Sequence, residues 1–503
     1  MQKLYILIAI TFVATTVNAQ NINDVTTYGT ENLQGTARFQ SMSGAFGALG
    51  GDLSAIDVNP AGSAVFNNSF ITTSVSVQNV DNSSFYGNGN LYNENSSSFN
   101  INQLGAVLVL KSSNDSDWKK IALSFNYNIF NNFDSDFFVS GTSNQSIDQY
   151  FLNYAQGQPL GEILIQGNEN IEDAYLNIAT DLGYAPQQAF LGYFGGVIDP
   201  ADDSDDDNTL YFSNADYNSV IQDYAVSDKG LNSKFTANFA TQYGENLYMG
   251  ASVNINVIDR EKLTTFYEDG YSATSPLGFV SFDNYLKTYG NGVSVSFGGI
   301  AKITEMFRLG ASYQSPTWYN LTDELSQRIN SNLADQEIDF IDFSLINVFP
   351  DYKITVPAKL TASGALVLGQ SGLISVDYGY QNMANSRLRP ESDSNFAFEN
   401  NRIKNELKAV STFKVGGEYK INRLSLRGGF RYEESPYKSG NMIGDLTGFS
   451  LGAGYNFGIT RFDLAFSQSQ RDIDYRLFET GLINTATIDR VNSNVTLSVS
   501  INL

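Results

Sequence analysis

The end of the chain sets the strongest constraint on the fold. Val495, Leu497, Val499, Ile501 and Leu503 alternate with Thr496, Ser498, Ser500 and Asn502. Successive side chains of a strand point to opposite faces, so this segment is a strand with one apolar face and one small polar face. The pattern recurs upstream. Ile121, Leu123, Phe125, Tyr127 and Ile129 oppose Ala122, Ser124, Asn126 and Asn128, and Phe449, Leu451, Ala453, Tyr455 and Phe457 oppose Gly448, Ser450, Gly452 and Gly454. An apolar face against a face of Ser, Asn, Gly and charge is what a strand needs when it meets lipid outside and a polar lumen inside.

About 14 such segments can be counted, centred near residues 74, 107, 124, 239, 252, 296, 310, 361, 377, 414, 428, 452, 465 and 497. Short links fall at Ser112–Asp117, Gly244–Glu245, Ile303–Glu305, Gln370–Gly372, Asn422 and Gly458. Long links fall between them, at about 80–101, 132–230, 259–285, 315–353, 383–404, 434–445 and 472–490. Strict alternation of short and long links, with an even strand count, fits an all-β, antiparallel transmembrane barrel with short periplasmic turns and long extracellular loops. Closure is required because an open sheet edge in lipid leaves backbone groups unpaired at several kcal/mol each. This topology places the C-terminus, and the segment before the first strand, on the periplasmic side.

The start of the chain agrees. Lys3, the apolar run Leu4–Val13 and the small residues Val17-Asn18-Ala19 make a secretory signal over residues 1–19, with the mature chain expected from Gln20. No later run of about 18 apolar residues predicts a membrane helix. The 503 residues include no Cys and no His, so disulfides, thiol chemistry and the commonest metal ligand and general base are absent. A net charge of -23 argues against nucleic acid as a partner. Neither an enzyme nor a cofactor or metal is expected.

Residues 20–67 read as a separate unit. Gly44–Ala64 (GAFGALGGDLSAIDVNPAGSA) is rich in Gly and Ala and ends in the turn signal Asn59-Pro60-Ala61-Gly62. That composition suits a compact hatch plugging the barrel formed by residues 68–503. The link at about 132–230 is too long for a bare loop. It contains helix-like stretches at Ile147–Ala155 and Ile171–Leu182, followed by Phe190–Phe194. Their apolar residues suit either an entry groove or the packing of an extracellular lobe.

Three motifs bear on possible sites. Ser450 sits in Gly-Phe-Ser-Leu-Gly, a literal match to a hydrolase elbow, but inside an alternating strand and in a chain without His. Asp199–Asp207 concentrates carboxylates without the Gly and final Glu of a calcium loop, so a solvated loop tip is expected. Arg308, Asp377, Lys414, Glu418, Arg427, Arg431 and Asp463 fall on the lumen-facing register. Pairing across the interior to hold the hatch is the expectation. The alternative is that Arg427 or Arg431 meets a substrate carboxylate.

ARFQSMSGAFGALGGDLSAIDVNPAGSAVF resembles the N-terminal signature of FadL/TodX-type outer-membrane transporters. FRLGASYQSP, VPAKLTASGAL with VDYGYQ, and LRGGFRYEESP with GFSLGAGYNF resemble later strands of that family, while the long acidic loop departs from it. The resemblance implies a 14-stranded barrel with an N-terminal hatch that takes up long-chain fatty acids or other hydrophobic small molecules. They would cross the lipopolysaccharide layer and leave sideways into outer-membrane lipid. It also implies a kink in the third strand, here about Lys119–Asn131, with the turn Asn59, Pro60 and Ala61 near it. Phe46, Leu49, Val65 and Phe66 are pocket candidates, and Arg427 and Arg431 are ligand candidates. PorV-like relatives imply a competing role, an adaptor for proteins of type IX secretion.

Overall fold

The computed structural model describes residues 21–112, 116–440 and 442–503. The signal sequence, its cleavage site and part of the Ser112–Asp117 link lie outside the described residues. Fourteen strands form the wall: β1 (Phe70–Phe85), β2 (Tyr92–Lys111), β3 (Trp118–Asn132), β4 (Val220–Tyr243), β5 (Leu247–Asp269), β6 (Val280–Lys302) and β7 (Phe307–Gln314), then β8 (Lys359–Leu368), β9 (Gly372–Asn382), β10 (Ala409–Ile421), β11 (Leu424–Glu433), β12 (Leu446–Asn456), β13 (Thr460–Arg476) and β14 (Thr485–Asn502). Each pairs antiparallel with its neighbours, and β14 closes on β1 from Phe70↔Asn502 to Phe85↔Thr487. Every expected strand centre falls inside one of these strands.

Alternation predicts which side chains face out. Leu123, Phe239, Leu451 and Leu497 are exposed on the outer wall, whereas Ser124, Asn238, Ser450 and Ser498 are buried inside it. The strands run further than their apolar pattern. β1 and β2 continue pairing through Asn79–Asn82 and Glu94–Ser98, so the first long link shrinks to residues 86–91. Beyond the lipid the side chains turn polar, but backbone pairing continues because buried or bridged N–H and C=O groups still need partners.

The long link after β3 builds the lobe, with helices α1 to be distinguished from it: α1 (Ile22–Gly29) belongs to the hatch, and α2 (Asp148–Ala155), α3 (Ile171–Asp181) and α4 (Tyr184–Phe194) to the lobe. Phe151, Tyr175, Phe190 and Leu191 are buried with Phe266 and Phe282 from the upper barrel and Phe478 from the link after β13 in one core. The apolar residues of the lobe thus pack it onto the long-loop end. A further helix, α5 (Ser394–Glu406), lies in the link between β9 and β10.

One expectation is corrected. The hatch body and Leu503 lie at the short-turn end, where Leu503 N–H donates to Ser69 O. The start of the described chain does not. Ile22 N–H donates to Glu399 of α5 at 2.9 Å, and Tyr437 donates to Asn23 at 3.2 Å, both partners being in long links. Apolar Ile22, Val25 and Tyr28 bury themselves with Tyr319, Ile354 and Phe396, so α1 is drawn up the lumen to the opposite end from the hatch body.

Candidate functional site

The hatch meets the wall closely at positions that carry no side chain. A Cβ added at Gly298 would stand 2.0 Å from Asn59 Oδ1, at Gly250 2.4 Å from Pro60 O, and at Gly310 2.2 Å from Gly47 O. Glycine here lets hatch backbone approach strand backbone directly. The Asn59 amide then donates to Gly47 O at 2.7 Å and Gly299 O at 3.0 Å, and its Oδ1 accepts from Ala61 N–H at 3.1 Å. Asn238 Nδ2 reaches Pro60 O at 2.9 Å. The Asn59-Pro60-Ala61 turn therefore sits against β4, β5 and β6.

The apolar candidates are occupied in packing. Phe46 and Leu49 cluster with Phe39, Met42 and wall residue Ala365. Phe66 packs with Leu53, Ile56, Val107 and Ala122. Val65 lies over Gly50 and Gly51 beside the Ala61–Ala64 cluster.

The lumen charges grip the hatch. Asp377 accepts from Phe46 N–H at 2.9 Å and Gly47 N–H at 3.0 Å. Glu418 accepts from Arg427 at 2.6 Å and from the hatch residue Arg38 at 3.1 Å, and Arg427 also reaches Asp463 at 2.8 Å. Arg431 donates to Glu31 O at 2.9 Å and pairs with Glu433 at 2.8 Å. Arg308 donates to Leu49 O at 3.3 Å. Lys414 lines a small polar cavity beside Glu31 and Lys359, which pair at 2.6 Å. Ser450 accepts from Ser43 N–H at 3.0 Å, so the elbow-like motif is a strand that clips the hatch. The acidic run is exposed, with Asp202 and Asp205 accepting from the backbone of Ser204 and Asp207.

The wall parts at β3. β2 pairs with β3 only from Lys111↔Lys120 to Gln103↔Asn128, while β3 stays on β4 up to Asn132↔Leu231. A register shift between Ile129 and Asn131 marks a bulge, which bends a strand and increases its twist. The continuation, Ser135–Ser143, crosses the lumen side of β1, where Asn82 and Ser84 donate to Asp136 O and Phe138 O at 2.6 Å. The upper half of β2 is left with β1 as its ladder partner, and Phe99 and Ile101 stand exposed beside the parting. The hatch touches the bend through Thr27–Asn32. Asn32 N–H donates to Phe130 O at 3.2 Å, Asn131 donates to Thr27 O at 3.4 Å, and the Asn32 and Asn131 side chains bond each other. Asp57 holds Asn128 just below.

Behind the parting lies a cavity of about 180 Å³ lined by Thr27, Asn132, Arg260, Arg471 and Arg490 among others. Arg260 is closed by Asp228 at 2.5 Å, and Arg471 reaches Glu433 at 2.9 Å. Arg490 bonds the Asn82 amide oxygen at 3.0 Å. Neither these arginines nor the wall glycines were singled out from sequence. The signal existed for the glycines, since Gly250, Gly310, Gly416, Gly429 and Gly452 all occupy lumen-facing positions.

The seating of α1 should depend on pH. Burial, with the Asp323 carboxylate adding to it, pushes Asp24 up to about 7, against the opposing pull of the Asn21 N–H, Arg260 and Lys262. An acid raised on seating favours the seated helix while protonated, so the grip is greatest below 3.8, falls as the pH rises to about 7 and is level above it. Amide exchange of Asn21–Gly29, corrected for intrinsic rates, should be severalfold faster at neutral pH than in mild acid. Asp24→Asn should flatten that difference, and a wild-type profile without pH dependence would refute it.

A family model described as outer membrane protein transport protein (OMPP1/FadL/TodX) matches residues 214–479. No curated protein matches this chain. Among solved structures, a FadL homologue of Pseudomonas aeruginosa is similar with a TM-score of 0.56 at 12% identity, covering 94% of this chain and 99% of that one. The Pseudomonas putida toluene transporter TodX is similar with a TM-score of 0.50 at 14% identity, again over 94% and 99%. These likenesses establish a shared fold.

Proposed function

Because this chain belongs to the OMPP1/FadL/TodX family of outer-membrane transport proteins, we propose that it carries long-chain fatty acids, or compounds like them, through its lumen and releases them sideways between β2 and β3. The family's members transport hydrophobic compounds across the outer membrane and are not enzymes. The observation that carries the finer reading is the parting of β2 from β3 above Gln103↔Asn128, with a lumen cavity directly behind it. A hydrocarbon chain gains about 0.8 kcal/mol for each methylene it buries, so a side exit into lipid is favoured over release into water. The guanidinium of Arg490, which bonds an amide and not a carboxylate, supports a substrate with an anionic head over a plain hydrocarbon. Asn59, Pro60 and Ala61 act in this reading by seating the hatch, and Thr27–Asn32 by holding the bend. Nothing in the geometry favours the secretion-adaptor alternative.

The test is a bridge across the parting. Asn132 Nδ2 lies 2.9 Å from Ser98 Oγ, and the chain has no native cysteine. Ser98→Cys with Asn132→Cys, joined by a short reducible bifunctional thiosulfonate, should cut fatty-acid uptake to a small fraction of the unbridged rate. Reductant should restore it. Full uptake through a bridged barrel would reject the side exit.

A further inference from the structure

The outer wall carries a dent of about 700 Å³ whose floor is made by Ala106, Ala237 and Ala251 and whose rims are Phe125, Phe239 and Phe297. Strand register produces it. Ala106 and Ala237 flank Phe125 on the neighbouring strands, and Ala251 stands between Phe239 and Phe297. Small residues thus alternate with large ones across β2 to β6, on the face that meets lipid. On the inner face the paired Gly250 and Gly298, next to Ala251 and Phe297, admit Pro60 and Asn59 of the hatch.

We infer that the dent is a seat for one acyl chain of a membrane phospholipid. Its position in the apolar belt leaves only hydrocarbon to fill it, and an unfilled trough would forfeit dispersion contacts along its whole lining. Ala237 and Ala251 are diagonal neighbours on β4 and β5, so the open floor runs between Phe125 on β3 and Phe297 on β6, three strand spacings or about 14 Å apart. A second copy of the barrel would need to bury about 1,000 Å² or more, far beyond a narrow trough between phenylalanine rims. The trough is continuous with the lipid-facing surface on every side, and it ends one outward position, Leu104, below the last rungs of β2 and β3. The inference stands apart from the identity or route of any cargo.

The test compares wild type with Ala237→Phe/Ala251→Phe, which fills the trough, after both are exchanged into the same detergent and checked for heat-modifiable barrel mobility. Native mass spectrometry should find one phospholipid retained per wild-type barrel and ~10-fold less on the variant, the change that one decade in affinity gives. A second measurement avoids any folding defect. Ala251→Cys and Leu451→Cys, each carrying a fluorophore, are placed in vesicles of phosphatidylethanolamine with a low fraction of brominated-acyl phospholipid. Quenching should be severalfold stronger at position 251. Equal lipid retention with equal quenching, or a concentration-dependent dimer that the filled variant abolishes, would overturn the proposal.

Discussion

Gly298→Val should give a barrel that assembles normally and leaks. The new Cβ would stand 2.0 Å from Asn59 Oδ1 and 2.9 Å from Pro60 Cδ, and neither belongs to a flexible chain end. Asn59 is fixed from both sides by its bonds to Gly47 O, Gly299 O and Ala61 N–H. Valine is a better strand residue than glycine, so the wall itself gains. The hatch has to move instead, losing the turn's bonds to the wall (Asn59 to Gly299 O and Ala311 O, and Asn238 to Pro60 O) at about 1 kcal/mol each, or ~100-fold in its seated population. Planar-bilayer conductance should change from closed to open, and cells should become permeable to large antibiotics. Asn59→Ala with Pro60→Ala should do the same from the hatch side, with less effect because it removes bonds without a collision. A closed Gly298→Val barrel would show that the hatch is held chiefly by its charges.

The difference between what the residues announce and what they conceal follows from the physics of the wall. Lipid outside and a polar lumen inside force alternation on every spanning strand, so Val495–Leu503 or Ile121–Ile129 declare themselves. Once β1 and β2 rise past the lipid, that force disappears, and the stretch at about 80–101 reads as loop although all of it but residues 86–91 is strand. The hatch was legible as a unit from its glycines and Asn59-Pro60. Its climb through α1 was not, because Ile22, Val25 and Tyr28 show an ordinary buried helix face without naming the wall that covers it. The bend in β3 was expected from resemblance alone. Its contacts with Thr27–Asn32 depend on asparagine amides, which carry no periodic signature. The lumen charges show the limit most clearly. Register places Arg427 and Arg431 inside, but it does not show that Arg427 meets Glu418 and Asp463 or that Arg431 meets Glu433.

Those pairings make Arg427 the residue whose loss should be felt most in stability. It is fully buried between Glu418 and Asp463, and Glu418 in turn holds Arg38 of the hatch. Replacing it by methionine keeps most of the volume and leaves two buried carboxylates short of a partner. Breaking a buried pair on one side costs about 3–5 kcal/mol, whereas replacing the whole set by neutral residues of similar size is often nearly neutral. Arg427→Met should therefore lower the urea midpoint for barrel unfolding and loosen the hatch through Glu418. Arg427→Met combined with Glu418→Gln and Asp463→Asn should recover most of the midpoint. The recovery separates the two roles considered for this arginine. A guanidinium that serves the fold is rescued by neutralising its partners, without any ligand present. One that serves a substrate carboxylate would lose uptake in both variants while the midpoint stayed at the wild-type value.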